Sequence, residues 1–445
     1  MSTTAESPST DPQQTELHFD TLKVHGGYDP SQHQHASSVP IYQTAAYTLE
    51  TVQRSDALFA FENDDPLYTR LSNPTVNVLQ QRLAELHGVS SALALASGMA
   101  AVSYTLLNVA GRSGRILTNY RLYGGTLDGF SHIFPELGVD FDVARDPDDP
   151  ASYDSAINER TKAIYVESIS NPQAAVVDLE PLADIAHAHG IPLIVDNTIA
   201  TPFLLNPFDF GADIVVYSAT KALSGHGNVI AGAVLENGRF DYAAGKHPQF
   251  TQPLWFLRDG NDAPRSIVDV FPDNPFTGRL NAVHLNYLGA ALGPFDAYMV
   301  LIGLETLSER VTKQVANTQQ IVSFLTGHEH VSWISYPTSP GSRYERLAAK
   351  YLPKGAGSVL SFGLEGGADE RRKFLEATRI FSFQANLGDA KSLIINPAQT
   401  THIELSNVAR QAIGLTNDTI RLSLGLENAD DLKADLEHAF SVAFA

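Results

Sequence analysis

Between residues 92 and 237 the chain repeats one pattern: a short apolar run, a small or polar residue at its end, then a stretch with helical spacing. Runs this short and this rich in Val, Ile and Leu suit strands buried on both faces, which in an open sheet requires helices above and below. The expected strands are "ALALAS" (92–97), one starting in "GRILTNY", "VDFDVA" (139–144), "KAIYVES" (162–168), "IPLIVDNT" (191–198), "ADIVVYSAT" (212–220) and "AGAVLEN" (231–237). Between them "GMAAVSYTLLNVAG" and "LEPLADIAHAHG" read as helices, the second stopped by Gly190 with Pro192 just beyond. Strands alternating with helices predict an α/β fold with a mostly parallel central sheet.

The flanks differ. The first sixteen residues, "MSTTAESPSTDPQQTE", are polar and read as disordered, with neither the basic nor the apolar region of a signal peptide. Residues 245–285 break the rhythm with five prolines and mixed aromatics, and read as a long connection or insertion. From about 290 helices dominate, and strand-like pieces at 358–364, 392–396 and 420–424 with a closing helix predict a smaller α+β domain. The expected division is an arm over 1–75, a large domain over 76–290 and a small domain over 291–445.

Thirty basic residues against fifty acidic ones leave a formal charge of −20, which repels phosphate backbones and argues against a nucleic-acid partner. It fits a soluble cytoplasmic enzyme. No apolar run approaches the ~20 residues of a membrane-spanning helix. Cysteine is absent, which removes disulfides and thiolate chemistry. Of the three H-x-H pairs, His187 and His189 point to different sides of their helix, and His33/His35 and His328/His330 lie in polar loops, so no metal is expected.

In open α/β sheets ligands gather outside the carboxyl ends of the strands. Those ends carry Ser97-Gly98, Tyr123, Glu167, Asp196 and the Ser218-Ala219-Thr220-Lys221 segment. Read singly, Ser97 is an N-cap, Asp196 a turn residue and Lys221 a surface lysine. Taken together, a helix start suited to phosphate, an acid for a ring nitrogen, an aromatic to stack and a lysine for covalent attachment describe pyridoxal phosphate. Neither a dinucleotide nor a P-loop fingerprint occurs.

"YTRLSNPT" (68–75), "ASGMAAV" (96–102), "YGGT" (123–126), "ESISNP" (167–172), "VDNT" (195–198), "SATK" (218–221), "NLGDAKSLI" (386–394) and "RLSLGLE" (421–427) follow one another in the order found in the Cys/Met-metabolism family of fold type I pyridoxal-phosphate enzymes. Across about 18–440 the chain resembles that family, and most of all its O-acetylhomoserine sulfhydrylases. The resemblance implies an aspartate-aminotransferase-like fold and Lys221, Tyr123 and Asp196 as catalytic residues. It implies that Gly98, Met99, Ser218 and Thr220 hold the cofactor phosphate, with Ser97 and Thr198 beside them. Tyr123 is then expected on the ring face, Asp196 at the ring nitrogen and Asn171 at the ring hydroxyl. Tyr68 and Arg70 are expected to reach the phosphate of a neighbouring subunit in a homotetramer with shared sites. Arg421, helped by the backbone around Asn386, is expected to hold the substrate carboxylate, which suits the rigid guanidinium fork; alone, Arg421 reads as a surface ion pair and Tyr68 and Arg70 as loop residues.

The implied reaction is γ-replacement: O-acetyl-L-homoserine and sulfide or a small thiol give homocysteine and acetate, a step of methionine biosynthesis. Alternatives are a γ-lyase acting on methionine or cystathionine, a cystathionine γ-synthase, and a scaffold that has lost catalysis. Three positions depart from the sulfhydrylase pattern: Met99 stands where glutamine is usual, Asn396 where histidine is usual, and 245–285 is unlike its counterpart.

Overall fold

The computed structural model describes residues 17–60, 63, 65–259 and 262–445, so the N-terminal stretch read as disordered lies outside the described residues. Strands β1 (Ser91–Leu95), β2 (Arg115–Thr118), β3 (Asp140–Val143), β4 (Thr161–Glu167), β5 (Leu193–Asp196), β6 (Ile214–Tyr217) and β7 (Gly232–Glu236) form one sheet in the order β1-β7-β6-β5-β4-β2-β3. Strands β3, β2, β4, β5 and β6 pair in parallel, whereas β7 runs antiparallel to both of its neighbours. The reversal has a local cause. A parallel return needs a crossover, usually a helix, and residues 218–231 form only turns and loop. Because β7 reverses between them, β1 and β6 still point the same way. The carboxyl ends of β1, β2, β4, β5 and β6 therefore meet at one edge.

Both faces of the sheet are covered, as the apolar runs require. Ile194 and Val216 turn into the cluster around helix Gly98–Ala110, with Leu106 and Val109. Their chain neighbours Val195 and Val215 turn the other way, towards Leu83 of helix Pro74–His87 and Leu179 of helix Leu179–Ala188. That is the period-two alternation of a strand, made apolar on both sides.

The 245–285 segment is a connection, and most of its apolar residues pack into the core, Trp255 remaining exposed. It contains short helices and a hairpin of β8 (Leu254–Arg258) and β9 (Pro264–Arg265). Phe250, Ile267, Phe276 and Leu280 are fully buried in the cluster around helix Gly98–Ala110. Phe250 stacks on Tyr242 at 4.3 Å between ring centroids. Buried Glu236, at the end of β7, accepts the backbone N–H groups of Phe276 and Thr277 and so ties the connection to the sheet.

A second sheet follows, of β10 (Val331–Ser335), β11 (Val359–Leu364), β12 (Ser382–Phe383), β13 (Leu393–Ile395) and β14 (Thr419–Ser423) in the order β10-β11-β14-β13-β12. It is antiparallel except for the β12–β13 pair. Helices Ala368–Ala377 and Ala429–Ala443 pack on it through Phe374, Leu436 and Phe440. One apolar core runs on from this sheet through helices Leu307–Leu325 and Pro294–Leu304 to the large sheet. The division at 75 and 290 is accordingly a proposal about function more than a gap in packing. Among the described residues no helix is long and apolar enough to cross a membrane.

If 245–285 is core, Phe250→Ala should cost about 3–5 kcal/mol, the usual loss for a buried phenylalanine. Urea unfolding monitored by circular dichroism measures it. A change below about 0.5 kcal/mol, as for a surface position, would show that Phe250 is not part of the core.

Candidate active site

At the edge where the strand ends meet lies a cavity of about 260 Å³, and residues of the second sheet's domain close its other side. Twelve of the residues expected at the site line it: Ser97, Gly98, Met99, Tyr123, Asn171, Asp196, Thr198, Ser218, Thr220, Lys221, Asn386 and Arg421. Tyr68 and Arg70 do not. Tyr68 is exposed, with the Arg70 guanidinium 5.1 Å from its ring centroid.

Each side chain is delivered by local chemistry. Ser97 caps helix Gly98–Ala110 by accepting the Ala100 N–H at 3.0 Å, so the modest reading of Ser97 holds. The first N–H groups of that helix have no partner within it and face the cavity end of β1. Gly98 is needed for close approach, since a Cβ there would lie 2.6 Å from the Ser218 side chain. Thr198 Oγ1 accepts the Ser218 N–H at 2.9 Å, and Thr220 Oγ1 accepts the Ala231 N–H at 2.9 Å, pinning the turn that carries Lys221. Gly124 lets the backbone of Thr401 approach the tip of the Tyr123 loop; a Cβ would meet the Thr401 carbonyl at 2.0 Å.

Arg421 lies in the middle of β14, where the sequence suggests a strand start. Ile420 and Leu422 face the core, so alternation sends the Arg421 side chain towards the cavity. It is 2% exposed and donates from Nη1 to Asn171 Oδ1 at 3.0 Å and from Nη2 to the Asn386 carbonyl at 2.6 Å. Its Nε is buried without a partner, an open donor of the kind a carboxylate satisfies. Among the described residues no acid pairs with it directly, and burial lowers its pKa to about 10.

Lys221 Nζ donates to Asn386 Oδ1 at 2.6 Å. Burial, with the Arg421 charge adding to it, brings its pKa down to about 8, so a neutral amine is within reach near neutral pH. Asp196 Oδ1 accepts the Thr198 N–H at 3.0 Å and Oδ2 the Tyr165 hydroxyl at 3.2 Å. Burial raises its pKa, which makes a cationic partner at the ring-nitrogen position favourable. Next to it across β4 and β5, in register, stands Glu167, a cavity-lining carboxylate whose pKa is driven well up by burial and by Asp196.

These groups fit pyridoxal phosphate. An amine, a carboxylate, a helix start cleared by a glycine, and an arginine with an open donor surround one cavity of molecular size.

A sequence profile of the Cys/Met metabolism PLP-dependent enzymes matches residues 20–441. The chain belongs to this family. Among its relatives the sulfhydrylase FUB7 of Gibberella moniliformis is 38% identical over 97% of this chain and 99% of that protein. The O-acetyl-L-homoserine sulfhydrylase of Leptospira meyeri is 37% identical over 94% of this chain and 96% of that one. A crystal structure assigned as an O-acetylhomoserine (thiol)-lyase from Campylobacter jejuni superposes with a TM-score of 0.90 at 39% identity. It covers 96% of this chain and 100% of that one, and contains a pyridoxyl-lysine monophosphate. Membership makes pyridoxal phosphate the cofactor of this chain.

Two departures now have places. Asn396 does not line the cavity: its side chain caps the 3₁₀ turn Pro397–Gln399 and donates to the Asn417 carbonyl at 2.7 Å. Met99 does line it, as the second residue of the helix that opens at Gly98. The histidine pairs find other partners. His187 bonds Asp213 at 2.9 Å and His189 bonds Asp154 at 2.7 Å, on different sides as helix geometry requires, while His328 and His330 stack on Phe440 and Phe444. The strand-end pattern of the sequence includes Glu167 but gives it no role, and it includes neither Tyr165 nor Thr401; Tyr165 precedes Glu167 by two and so shares its face.

The Lys221–Arg421 repulsion makes a prediction about pH. In full-length apoprotein, Arg421→Met removes a cation that disfavours the ammonium, so the Lys221 titration midpoint should rise from about 8. Labelling by an amine reagent across pH, read by peptide mass, follows it. An unchanged midpoint would leave burial as the whole cause.

Proposed function

We propose that this chain converts O-acetyl-L-homoserine and sulfide to homocysteine and acetate, by γ-replacement at the cavity around Lys221. The observation that carries the reading is that Lys221, Asp196 and Arg421 meet in one cavity of a chain 37–38% identical, nearly end to end, to sulfhydrylases. Pyridoxal phosphate, when bound, supplies an electron sink for the substrate carbanion. The remaining steps fall to the protein's own groups. Arg421 takes the substrate carboxylate on its open Nε edge and fixes the orientation of the amino acid. Lys221 would anchor the cofactor and, when free, move the protons at Cα and Cβ that departure of a group from Cγ requires, which its lowered pKa favours. Asp196 would hold the proton at the ring nitrogen. Tyr123 would cover the ring and Asn171 would meet its hydroxyl. Gly98, Met99, Ser218 and Thr220 would take the phosphate, with Ser97 and Thr198 in support. Acetate leaves from Cγ, and sulfide forms the new bond at the same carbon.

The active unit on this reading is at least a dimer, and a tetramer by family resemblance. Tyr68 and Arg70 lie outside their own chain's cavity, one exposed with the other stacked over it, which supports donation to a neighbour's phosphate. A cytoplasmic location is part of the same proposal and draws on the strongly acidic composition.

Product analysis tests the chemistry. O-acetylhomoserine plus sulfide should yield mainly homocysteine and acetate, with 2-oxobutyrate minor, and Lys221→Ala should lose nearly all turnover. Efficient 2-oxobutyrate from methionine or cystathionine, with little homocysteine, would instead assign a γ-lyase. Asp196→Asn should fold and lose at least about a hundredfold in rate, roughly 2.7 kcal/mol of transition-state stabilisation. For the shared site, subunit exchange between inactive Lys221→Ala and inactive Arg70→Ala proteins should restore partial activity. Verified hybrids that stay inactive would place Arg70 outside the neighbour's site.

A further inference from the structure

Glu167 is a buried carboxylate that the reaction above does not use. It is 8% exposed, ends β4, and lines the cavity. Its two oxygens have separate tasks. Oε1 accepts the backbone N–H of Tyr123, and Oε2 accepts the backbone N–H of Asn171 at 3.2 Å. Tyr123 belongs to the loop after β2, and Asn171 to the irregular segment after β4. These are the two residues expected on the face and at the hydroxyl of the cofactor ring. The third ring contact, Asp196, pairs with Glu167 in register on the neighbouring strand. Burying a carboxylate beside another carboxylate is costly, and a fold that needed only to cap one loop could do so with a neutral side chain. What a carboxylate offers here is two acceptors on one rigid strand end, each able to hold a main-chain donor.

We propose that Glu167 is a positioning residue of the cofactor site, clamping the backbones of Tyr123 and Asn171 so that the ring's stacking and hydroxyl contacts are set from the same strand end that faces Asp196. The proposal rests on the pyridoxal-phosphate reading of the cavity. Burial next to Asp196 favours the neutral acid while the two N–H donors favour the anion, so a bound ring cation, which offsets both carboxylates, tightens the clamp. Cofactor binding and loop order are then coupled through one side chain.

Glu167→Gln tests this with little change in shape. A glutamine keeps one acceptor oxygen but sets an NH₂ group against the second N–H, so one arm of the clamp is lost. Full-length wild-type and variant chains are stripped of cofactor and titrated with pyridoxal phosphate. Affinity is read from absorbance, ring orientation from the visible circular dichroism of the bound cofactor, and integrity from the apoprotein melting temperature. The expected result is an apoprotein melting within a few degrees of wild type, affinity weakened roughly ten- to hundredfold, and a visible dichroism signal reduced or changed in sign. Wild-type affinity and an unaltered dichroism signal in the variant would overturn the proposal. If Glu167→Gln melts markedly lower, Glu167→Asp, which keeps the charge but draws the oxygens back by one methylene, takes its place under the same criteria. A wild-type chain that bound no cofactor at all would refute the cavity reading itself, a result distinct from equal binding by the two proteins.

Discussion

Two cations and two carboxylates share one cavity, Lys221 and Arg421 against Asp196 and Glu167, without a direct ion pair between them. Charges taken out of water lose several kcal/mol each unless hydrogen bonds or counter-charges replace the lost hydration. The protein meets that cost with fixed neutral partners. Backbone N–H groups hold both carboxylates, and an asparagine oxygen and a carbonyl hold Arg421. Such partners orient the charges without quenching them, so each remains free to answer a charge brought by a ligand. The large apolar core on both faces of the seven-stranded sheet is what lets so polar a site be kept rigid.

Rigidity extends beneath the lysine. Arg310, 5% exposed in helix Leu307–Leu325, donates to the carbonyls of Ala222 at 2.9 Å and Gly303 at 2.6 Å, and reaches that of Leu223. It is a buried cation held mainly by main-chain oxygens, one from the end of helix Pro294–Leu304 and the others from the turn just after Lys221. The negative end of a helix and a run of turn carbonyls supply its counter-charge. The turn that follows Lys221 is thereby fastened to helices Pro294–Leu304 and Leu307–Leu325.

How much of this could be read from the chain follows from how local each signal is. Strand ends were legible because apolar runs are contiguous, and they brought Ser97, Asp196 and Lys221 to one edge without any structure. The reversal of β7 was not, because an apolar run carries no direction; only the helix-free connection 218–231 encodes it. The 245–285 segment reads from the sequence as a connection or an insertion, without a core role, because its core residues, Phe250, Ile267 and Phe276, sit at no fixed period in a Pro-rich stretch, and only tertiary packing makes them core. Arg421 was legible as an arginine and not as the middle of a strand. Glu167 shows the limit most clearly: its neighbours along the chain give no hint of Tyr123, forty-four positions earlier in sequence, whose N–H it holds.

Asn386 joins the two halves of the site. Its side-chain oxygen accepts from Lys221 and its backbone carbonyl accepts from Arg421, so one residue of the second domain touches both the amine proposed to move protons and the cation proposed to hold the substrate. This arrangement links binding to basicity. Burial, with the Arg421 charge adding to it, keeps Lys221 below its ordinary pKa, towards the neutral amine. On the proposed reading, a substrate carboxylate seated on Arg421 would offset that charge and remove its share of the lowering, while burial would still hold Lys221 below its ordinary value. On that reading, the cation proposed to recognise the substrate also contributes, after burial, to the lysine's proton affinity before the substrate arrives.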